Sequence, residues 1–304
     1  MDAKTYDVVV VGGGAAGLSA ALVLGRARRH IAVVDAGEPR NAPAAHMHGF
    51  LSRDGMPPAD LLEAGQAEVT RYGVDLIDDR TVGIEAGFHI RLASGRELKA
   101  RRILLATGLS DELPDIPGVR QRWGRDLLHC PYCHGWEVRD QPIGVLGTNP
   151  ASAQHAQLVR QWSDDVVYFA HTQDLKQAER VQMEARGIRV VTGEVARLVV
   201  ESDRLTGVGL VDGRVITRTA LFIRSGNVPH DDGLLAQLGC EINEEGFVTV
   251  DAAGRTSALG VWAAGNVVDP RAQVITSAGA GSAAAIAINA DLVDEDVERA
   301  LAPR

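Results

Sequence analysis

The stretch YDVVVVGGGAAGLSAALVLGRARRHIAVVDAG, residues 6–37, decides the fold. It opens as the short apolar run that a buried strand needs, passes through Gly12, Gly13 and Gly14, continues as an alanine-rich helix, and returns to an apolar strand at residues 31–34. Strand, helix and strand make one βαβ unit. Gly12, Gly14 and Gly17 stand at G-x-G-x-x-G spacing. That spacing gives a tight turn, a close approach of backbone to a pyrophosphate, and close helix packing, with the helix N-terminus facing the phosphates. Asp35 ends the second strand, where a carboxylate can accept from a ribose hydroxyl. The segment lacks charge from residue 8 to 25 and could pass for a membrane span or a signal core. Its glycine cluster and the acidic Asp7 before it argue against both.

Composition agrees with this reading. A chain of 304 residues has room for two domains, and 33 glycines against 4% aromatics suit an architecture with many tight strand-to-helix turns. A net charge of -9 argues against a nucleic-acid partner, since phosphate binding needs a basic stripe. The basic run at residues 26–29 reads as a solvated helix end. Three cysteines, Cys130, Cys133 and Cys240, are too few and too unevenly placed for a secreted disulfide framework, so a cytoplasmic home is expected. Cys240 reads as a small buried hydrophobe.

A second unit, PIGVLGTNPASAQHAQLVRQWSDDVVYFAHT at residues 142–172, again runs strand, turn, helix, strand. Two such units suggest two nucleotides. RLASGRELKARRILLATG, residues 91–108, reads as a hairpin leading into a buried strand that closes on Thr107 and Gly108. Residues 274–290 form a helix almost without charge, expected to be buried against the first βαβ unit. The fold class expected is therefore α/β, with two Rossmann-like nucleotide-binding domains in three layers, the second inserted into the first. The boundaries drawn are 1–114 plus 225–304 for the first domain and 115–224 for the insertion, with the proline-rich DELPDIPGV at 111–119 as the outgoing linker.

The insertion carries HCPYCHGW, residues 129–136. Zinc would want four ligands, and no second C-x-x-C or H-x-x-H pair exists to complete the site. Electron transfer fits better. Residues one helical turn apart bring two sulfurs to bonding distance, Pro131 suits a first helical position, and Cys130 at a helix start has its thiolate favoured by the dipole. Cys133, one turn inside, is then the candidate to face a redox cofactor. His134 can hold the proton that moves with each thiol, because imidazole titrates near neutral pH. His129 is read either as a solvent-facing residue or as a second proton carrier. His46 and His48 read as part of a loop bordering that cofactor, and Trp123 and Trp136 as packing.

The ordered set of motifs resembles the low-molecular-weight thioredoxin reductase family of flavoproteins over nearly the whole length. It consists of VVVVGGGAAGLSAA at 8–21, LLATG at 104–108, the C-x-x-C, GVWAAGN at 260–266 and AQVITSAGAGSAAA at 272–285. The resemblance implies FAD on Gly12, Gly14, Gly17 and Asp35 with Thr107, Gly108, Gly265, Asn266 and Gln273. It also implies a pyridine nucleotide on the second domain, a redox-active disulfide and a homodimer. CPYCHGWE at 130–137 and HGFLSRDG at 48–55 look like a branch that includes dithiol oxidases of gliotoxin and holomycin biosynthesis. His134 stands where typical reductases of the family have a proton-donating aspartate, and Asn266 where they have an aspartate at the ribityl chain. The second glycine turn keeps Gly147 but has Asn149 at the second glycine and Ser152 at the family's alanine, so a side chain stands where a pyrophosphate should approach. No arginine follows the strand at 166–169, so NADPH or NADH is weakly supported.

The function expected first is a thioredoxin reductase-like FAD-dependent disulfide oxidoreductase that passes electrons from a nicotinamide through flavin and the Cys130–Cys133 pair to a thioredoxin-like protein. The alternative reverses the flow, with a small-molecule dithiol as donor and oxygen as acceptor. The remaining reading is a non-catalytic flavin or nucleotide sensor. No membrane partner and no metal are expected.

Overall fold

The structure, a computed structural model, describes residues 4–230 and 233–302. The first sheet is ordered Asp75–Asp78, Ile31–Asp35, Lys4–Val11, Glu97–Leu105, all parallel, with Val261–Ala263 added in parallel along the end of Glu97–Leu105. His89–Leu92 and Thr81–Glu85 extend it in antiparallel fashion. Val8 to Val11 are buried on both faces, which is why this strand is a continuous valine run and does not alternate. Register pairs Val9 and Val261 with the same residue, Ile103, so the chain leaves this sheet and returns to it some 150 residues later, a span on the order of one domain.

One face of the sheet is covered by the helices Ala15–Arg26 and Val274–Leu301. Their contact is close. A Cβ on Gly281 would fall on the Ala16 carbonyl oxygen, so only glycine lets the two backbones approach. The C-terminal helix differs from expectation in two ways. It is 28 residues long, running past its charge-free part, and it buries one face only: Ser277, Gly281, Ala284, Ala285, Ile288 and Leu292 face inward while Ile286 is 63% exposed. Small residues at helical spacing mark a contact stripe and not burial all round. Arg26 and Arg28 of the basic run are exposed, as a solvated helix end requires, but its last member is not. Arg29 is mostly covered, binding Asn289 through Nε at 2.8 Å and Asp296 through Nη1 at 2.7 Å, and so ties the first helix to the last.

The second sheet is parallel throughout, in the order Arg189–Val191, Val166–Phe169, Ile143–Leu146, Ala220–Ile223, Leu127–Leu128. Helices Ser152–Val159 and Gln177–Ala185 cover one face. The antiparallel strands Val195–Glu201, Arg204–Leu210 and Val215–Thr217 cover the other. The protein is thus a two-domain α/β molecule with Rossmann-like sheets in three layers. Leu109–Glu112 pairs antiparallel with Gly226–Pro229 where the chain passes between the sheets. Among the described residues no helix is long and apolar enough to cross a membrane.

Candidate active site

Cys130 and Cys133 form a disulfide with their Cα atoms 5.3 Å apart. Cys130 caps the short helix Pro131–His134, and its Sγ accepts from the Cys133 amide at 3.2 Å. Once the bond opens, the same amide and the helix start favour negative charge on Cys130. Gly135 closes the turn, where a Cβ would lie 2.5 Å from the Pro131 carbonyl oxygen and 2.8 Å from the Trp162 ring. Gln273, at the start of the C-terminal helix, points Nε2 at Cys133 Sγ from 3.8 Å. Cys133 therefore faces the first domain.

Burial holds the His134 pKa below the usual imidazole range, against the opposing pull of Glu137, so the ring is neutral at pH 7 and free to accept a proton. His129 is not the solvent-facing residue that was one reading of it. Its Nδ1 lies 3.2 Å from Ser225 Oγ, which donates to Asp111 Oδ1 at 2.7 Å, and Arg40 grips Asp111 with two 2.8 Å bonds. Burial lowers the His129 pKa, partly offset by Asp111. Burial would raise the Asp111 pKa, but the Arg40 bonds outweigh it and the carboxyl sits below its usual value. Trp136 corrects the packing expectation: it is 65% exposed, with the Arg139 guanidinium 4.0 Å from its ring centroid. Trp123 does pack into the second core. Cys240 is half-buried against the first core.

The first glycine turn fits FAD. A Cβ on Gly12, at φ +105°, would fall on the Ala106 carbonyl oxygen beside Thr107, and one on Gly17 would fall on the Gly12 carbonyl oxygen. Beside Gly14 and Gly108 there is open space, as a pyrophosphate lying on backbone requires. Asp35 Oδ1 already accepts from the Gly13 amide at 2.9 Å, leaving Oδ2 for a ribose hydroxyl. Gly265 adopts φ +83° with its Cβ position 3.0 Å from Ala16. Asn266 Nδ2 donates to the carbonyls of Asp269 and Ala272, at 2.9 and 3.0 Å, so only Oδ1 remains to meet a ribityl hydroxyl.

The second glycine turn is closed by its own side chains. The Thr148 and Asn149 amides both donate to Ser152 Oγ at 3.2 Å, and Asn149 Nδ2 donates to the Arg224 carbonyl at 3.0 Å while Oδ1 accepts from Ala151 N. The donors that would cradle a pyrophosphate are already occupied. A Cβ on Gly147 would lie 2.6 Å from the Ala170 carbonyl and the Tyr168 hydroxyl, so that glycine serves packing. His171, the one basic candidate just after the strand Val166–Phe169, accepts from the Val195 amide at 3.0 Å, and burial lowers its pKa. It brings no charge for a 2'-phosphate.

His46 and His48 separate. The ring of His46 is exposed and lies 3.1 Å from the Gly55 carbonyl. His48 instead reaches Asp54 at 3.3 Å through Nδ1 and Glu137, in the second domain, at 3.4 Å through Nε2. The sequence reading passed over Glu137, Asp54, Asp111, Ser225 and Arg40. The first three stood inside quoted stretches, and a carboxylate three residues after His134 was the available signal. Among the described residues no group of three or more His, Cys, Asp or Glu is arranged to hold a metal.

A redox disulfide set against a fitting FAD cradle defines a flavin-dependent thiol/disulfide oxidoreductase. The chain belongs to the pyridine nucleotide-disulphide oxidoreductase family, which it matches over residues 6–284. It is 56% identical to HlmI, whose crystal structure superposes with a TM-score of 0.93 over 98% of this chain and 95% of that one. An oxidoreductase of Agrobacterium tumefaciens superposes at 0.87 with 35% identity, over 95% and 99% of the two chains. The thioredoxin reductase sirT of Leptosphaeria maculans is 31% identical over 96% of each chain. Family and fold imply FAD as the cofactor.

Proposed function

We propose that the protein is a dithiol oxidase, which takes two electrons from a small-molecule dithiol through Cys130 and Cys133 and delivers them to oxygen. The reductase expected first from the sequence gives way to this alternative. The observation that carries it is the second glycine turn, whose amides bind Ser152 Oγ and so offer little to a nicotinamide nucleotide. The 56% identity with HlmI over nearly the whole chain adds support, given the resemblance of CPYCHGWE to a dithiol-oxidase branch.

In this reading His134, neutral and beside the pair, takes the proton of an incoming thiol. The thiolate attacks Cys130 Sγ, and the electron pair of the broken bond stays on Cys133, next to Gln273. The second substrate thiol then attacks the mixed disulfide, releasing product and leaving both cysteines reduced. FAD, when bound on the first domain, supplies the two-electron acceptor that oxygen regenerates. The Arg40–Asp111–Ser225–His129 chain holds the residue before Cys130 against the strands that link the two sheets.

The test is oxygen uptake by the FAD-loaded protein with a small dithiol and no nicotinamide. One hydrogen peroxide per disulfide formed is expected. No uptake, with turnover appearing only when NADPH and a protein disulfide are supplied, would restore the reductase reading.

A further inference from the structure

The two sulfurs of the disulfide are served by donors of different origin. Cys130 Sγ accepts from the Cys133 amide, a group of its own turn. Cys133 Sγ accepts from Gln273 Nε2 at 3.8 Å, a side chain brought from the first domain across 140 residues of sequence. Gln273 caps the 28-residue helix Val274–Leu301, which has no acidic residue in its first turn, so the positive end of that helix lies one side chain away from the sulfur. The carboxamide is bordered on its other side by Gly49, where a Cβ would lie 3.6 Å from Gln273 Oε1. Gly49 is itself fixed, since its N–H donates to Asp54 Oδ1 at 2.9 Å, and its loop is closed by Gly55 N donating to Met47 O and Met47 N donating to Met56 O, both at 2.9 Å. Two further contacts hold the domains in the arrangement that brings Gln273 to the disulfide. His48 Nε2 lies 3.4 Å from Glu137 Oε1, and a Cβ on Gly124 would lie 2.7 Å from the Pro43 side chain.

We propose that Gln273 is a catalytic hydrogen-bond donor of the thiol/disulfide step: its carboxamide N–H stabilises the thiolate that forms on Cys133 when the disulfide opens. The inference rests on the reading above of Cys130 as the attacked sulfur, and it holds whichever final acceptor serves the flavin. The step balances. The substrate S–H bond breaks and its proton goes to His134; the substrate sulfur bonds to Cys130 Sγ; the Cys130–Cys133 bond breaks with its electron pair on Cys133. Negative charge therefore appears on the sulfur that Gln273 faces. A hydrogen bond to an ion is roughly twice as strong as one to a neutral group, so the contact tightens as the charge forms and lowers the barrier to opening. The same geometry selects the leaving sulfur. The donor to Cys130 is local to its turn, whereas the donor to Cys133 is present only where the first domain meets the second. That is also the edge of the flavin cradle, because Ala272, the residue before Gln273, accepts from Asn266 Nδ2. Opening toward Cys133 is thus favoured where its electrons can be collected. The ionisable groups along this seam are His134 on the cysteine turn, with Glu137 beyond it, and His48 and Asp54 on the facing loop.

The test uses the FAD-loaded protein under nitrogen with Cys130→Ser, which leaves Cys133 alone in the turn while His134, His48, Asp54 and Glu137 stay in place. The thiolate is titrated by its long-wavelength absorbance and by the rate of iodoacetamide alkylation of the Cys133 peptide, read by mass spectrometry so that Cys240 is counted apart. Gln273→Met keeps the length of the side chain and removes the donor. It should raise the Cys133 midpoint by about one to two pH units, the size of one hydrogen bond to a charged group. Gln273→Glu, which sets a carboxylate at the sulfur, should raise it further. In a Cys133→Ser background the Cys130 midpoint should not move with Gln273→Met, because its donor is backbone. A Cys133 midpoint unmoved by Gln273→Met at equal flavin content, or equal shifts at both cysteines, would overturn the proposal. Should Gln273→Met fold poorly or lose flavin, Gln273→Asn draws the amide back by one methylene and supplies the same comparison: a raised midpoint supports the donor and an unchanged one counts against it. Absence of oxygen uptake in the wild type, with the midpoint shift present, would instead strike only the dithiol-oxidase reading.

Discussion

The two sulfurs of the disulfide stand in different surroundings, and that difference can be read optically. Cys130 is the cap that receives an amide, whereas Cys133 lies against Gln273 at the edge of the first domain. Cys130→Ser should leave Cys133 as a thiolate beside FAD and give a broad long-wavelength absorbance; Cys133→Ser should not, and both changes should abolish turnover. The reverse spectral pattern would exchange the two roles. A second residue-scale expectation concerns His155, which no motif singles out. It lies buried in the helix Ser152–Val159 with Nδ1 unpartnered, and burial first, then the charges of His129 and Arg224, depress its pKa to about 3. For a histidine whose folded pKa lies below the unfolded 6.5, the unfolded chain binds the proton first as pH falls. Stability from this group is therefore full above 6.5 and lost as pH drops from 6.5 toward 3. Between pH 7 and 5.5 the loss should be about 1 kcal/mol. Urea unfolding of wild type and His155→Leu at both pH values checks it: equal losses in the two proteins would remove His155 as the cause. The cysteines and His134 were legible because C-x-x-C followed by histidine has a mechanism attached to its spacing. Glu137 was not, since its meaning depends on a histidine 89 positions away, at residue 48.

At the scale of elements, the βαβ units could be read directly because buried strands, glycine turns and alanine-rich helices each carry a local signature. The C-terminal helix was harder. Its lack of charge suggested burial against the first βαβ unit, and Gly281 and Ala284 do mark a close contact with the helix Ala15–Arg26, but Ile286 and Val297 face outward. Trp136 went wrong for a related reason, since a large aromatic ordinarily packs and only the turn geometry shows it lying outward beneath Arg139. Two glycines of the C-terminal helix allow a test in which sign matters more than size. Gly279 has nothing near its Cβ position, so Gly279→Ala should gain up to about 1 kcal/mol from helix propensity. Gly281→Ala has the same propensity gain but must push the Ala16 backbone away, and should lose about 1 to 3 kcal/mol. Thermal unfolding of the two variants should move in opposite directions. A stabilising Gly281→Ala would mean the two helices are not as close as described.

For the whole molecule, the decisive relations are those between parts that sequence order keeps far apart. The Gln273 contact to Cys133 and the His48 contact to Glu137 lie on either side of Gly49, whereas the second glycine turn is sealed by Ser152 and Asn149. The motif LGTNPAS already hinted at a poor nucleotide site, through a side chain expected to block the approach. The physical reason found is different: Asn149 and Ser152 consume the backbone donors. An unpaired cradle amide can donate a charge-assisted bond of about 1.5 to 3 kcal/mol to a phosphate, and here two such amides are already satisfied. The most direct measurement is anaerobic rapid mixing of the yellow, FAD-loaded protein with NADPH, NADH and a small dithiol in separate shots, following flavin absorbance. The account predicts fast bleaching by the dithiol, and slow bleaching by both nicotinamides with no marked preference for NADPH. Rapid bleaching by micromolar NADPH, with the dithiol inert, would contradict it.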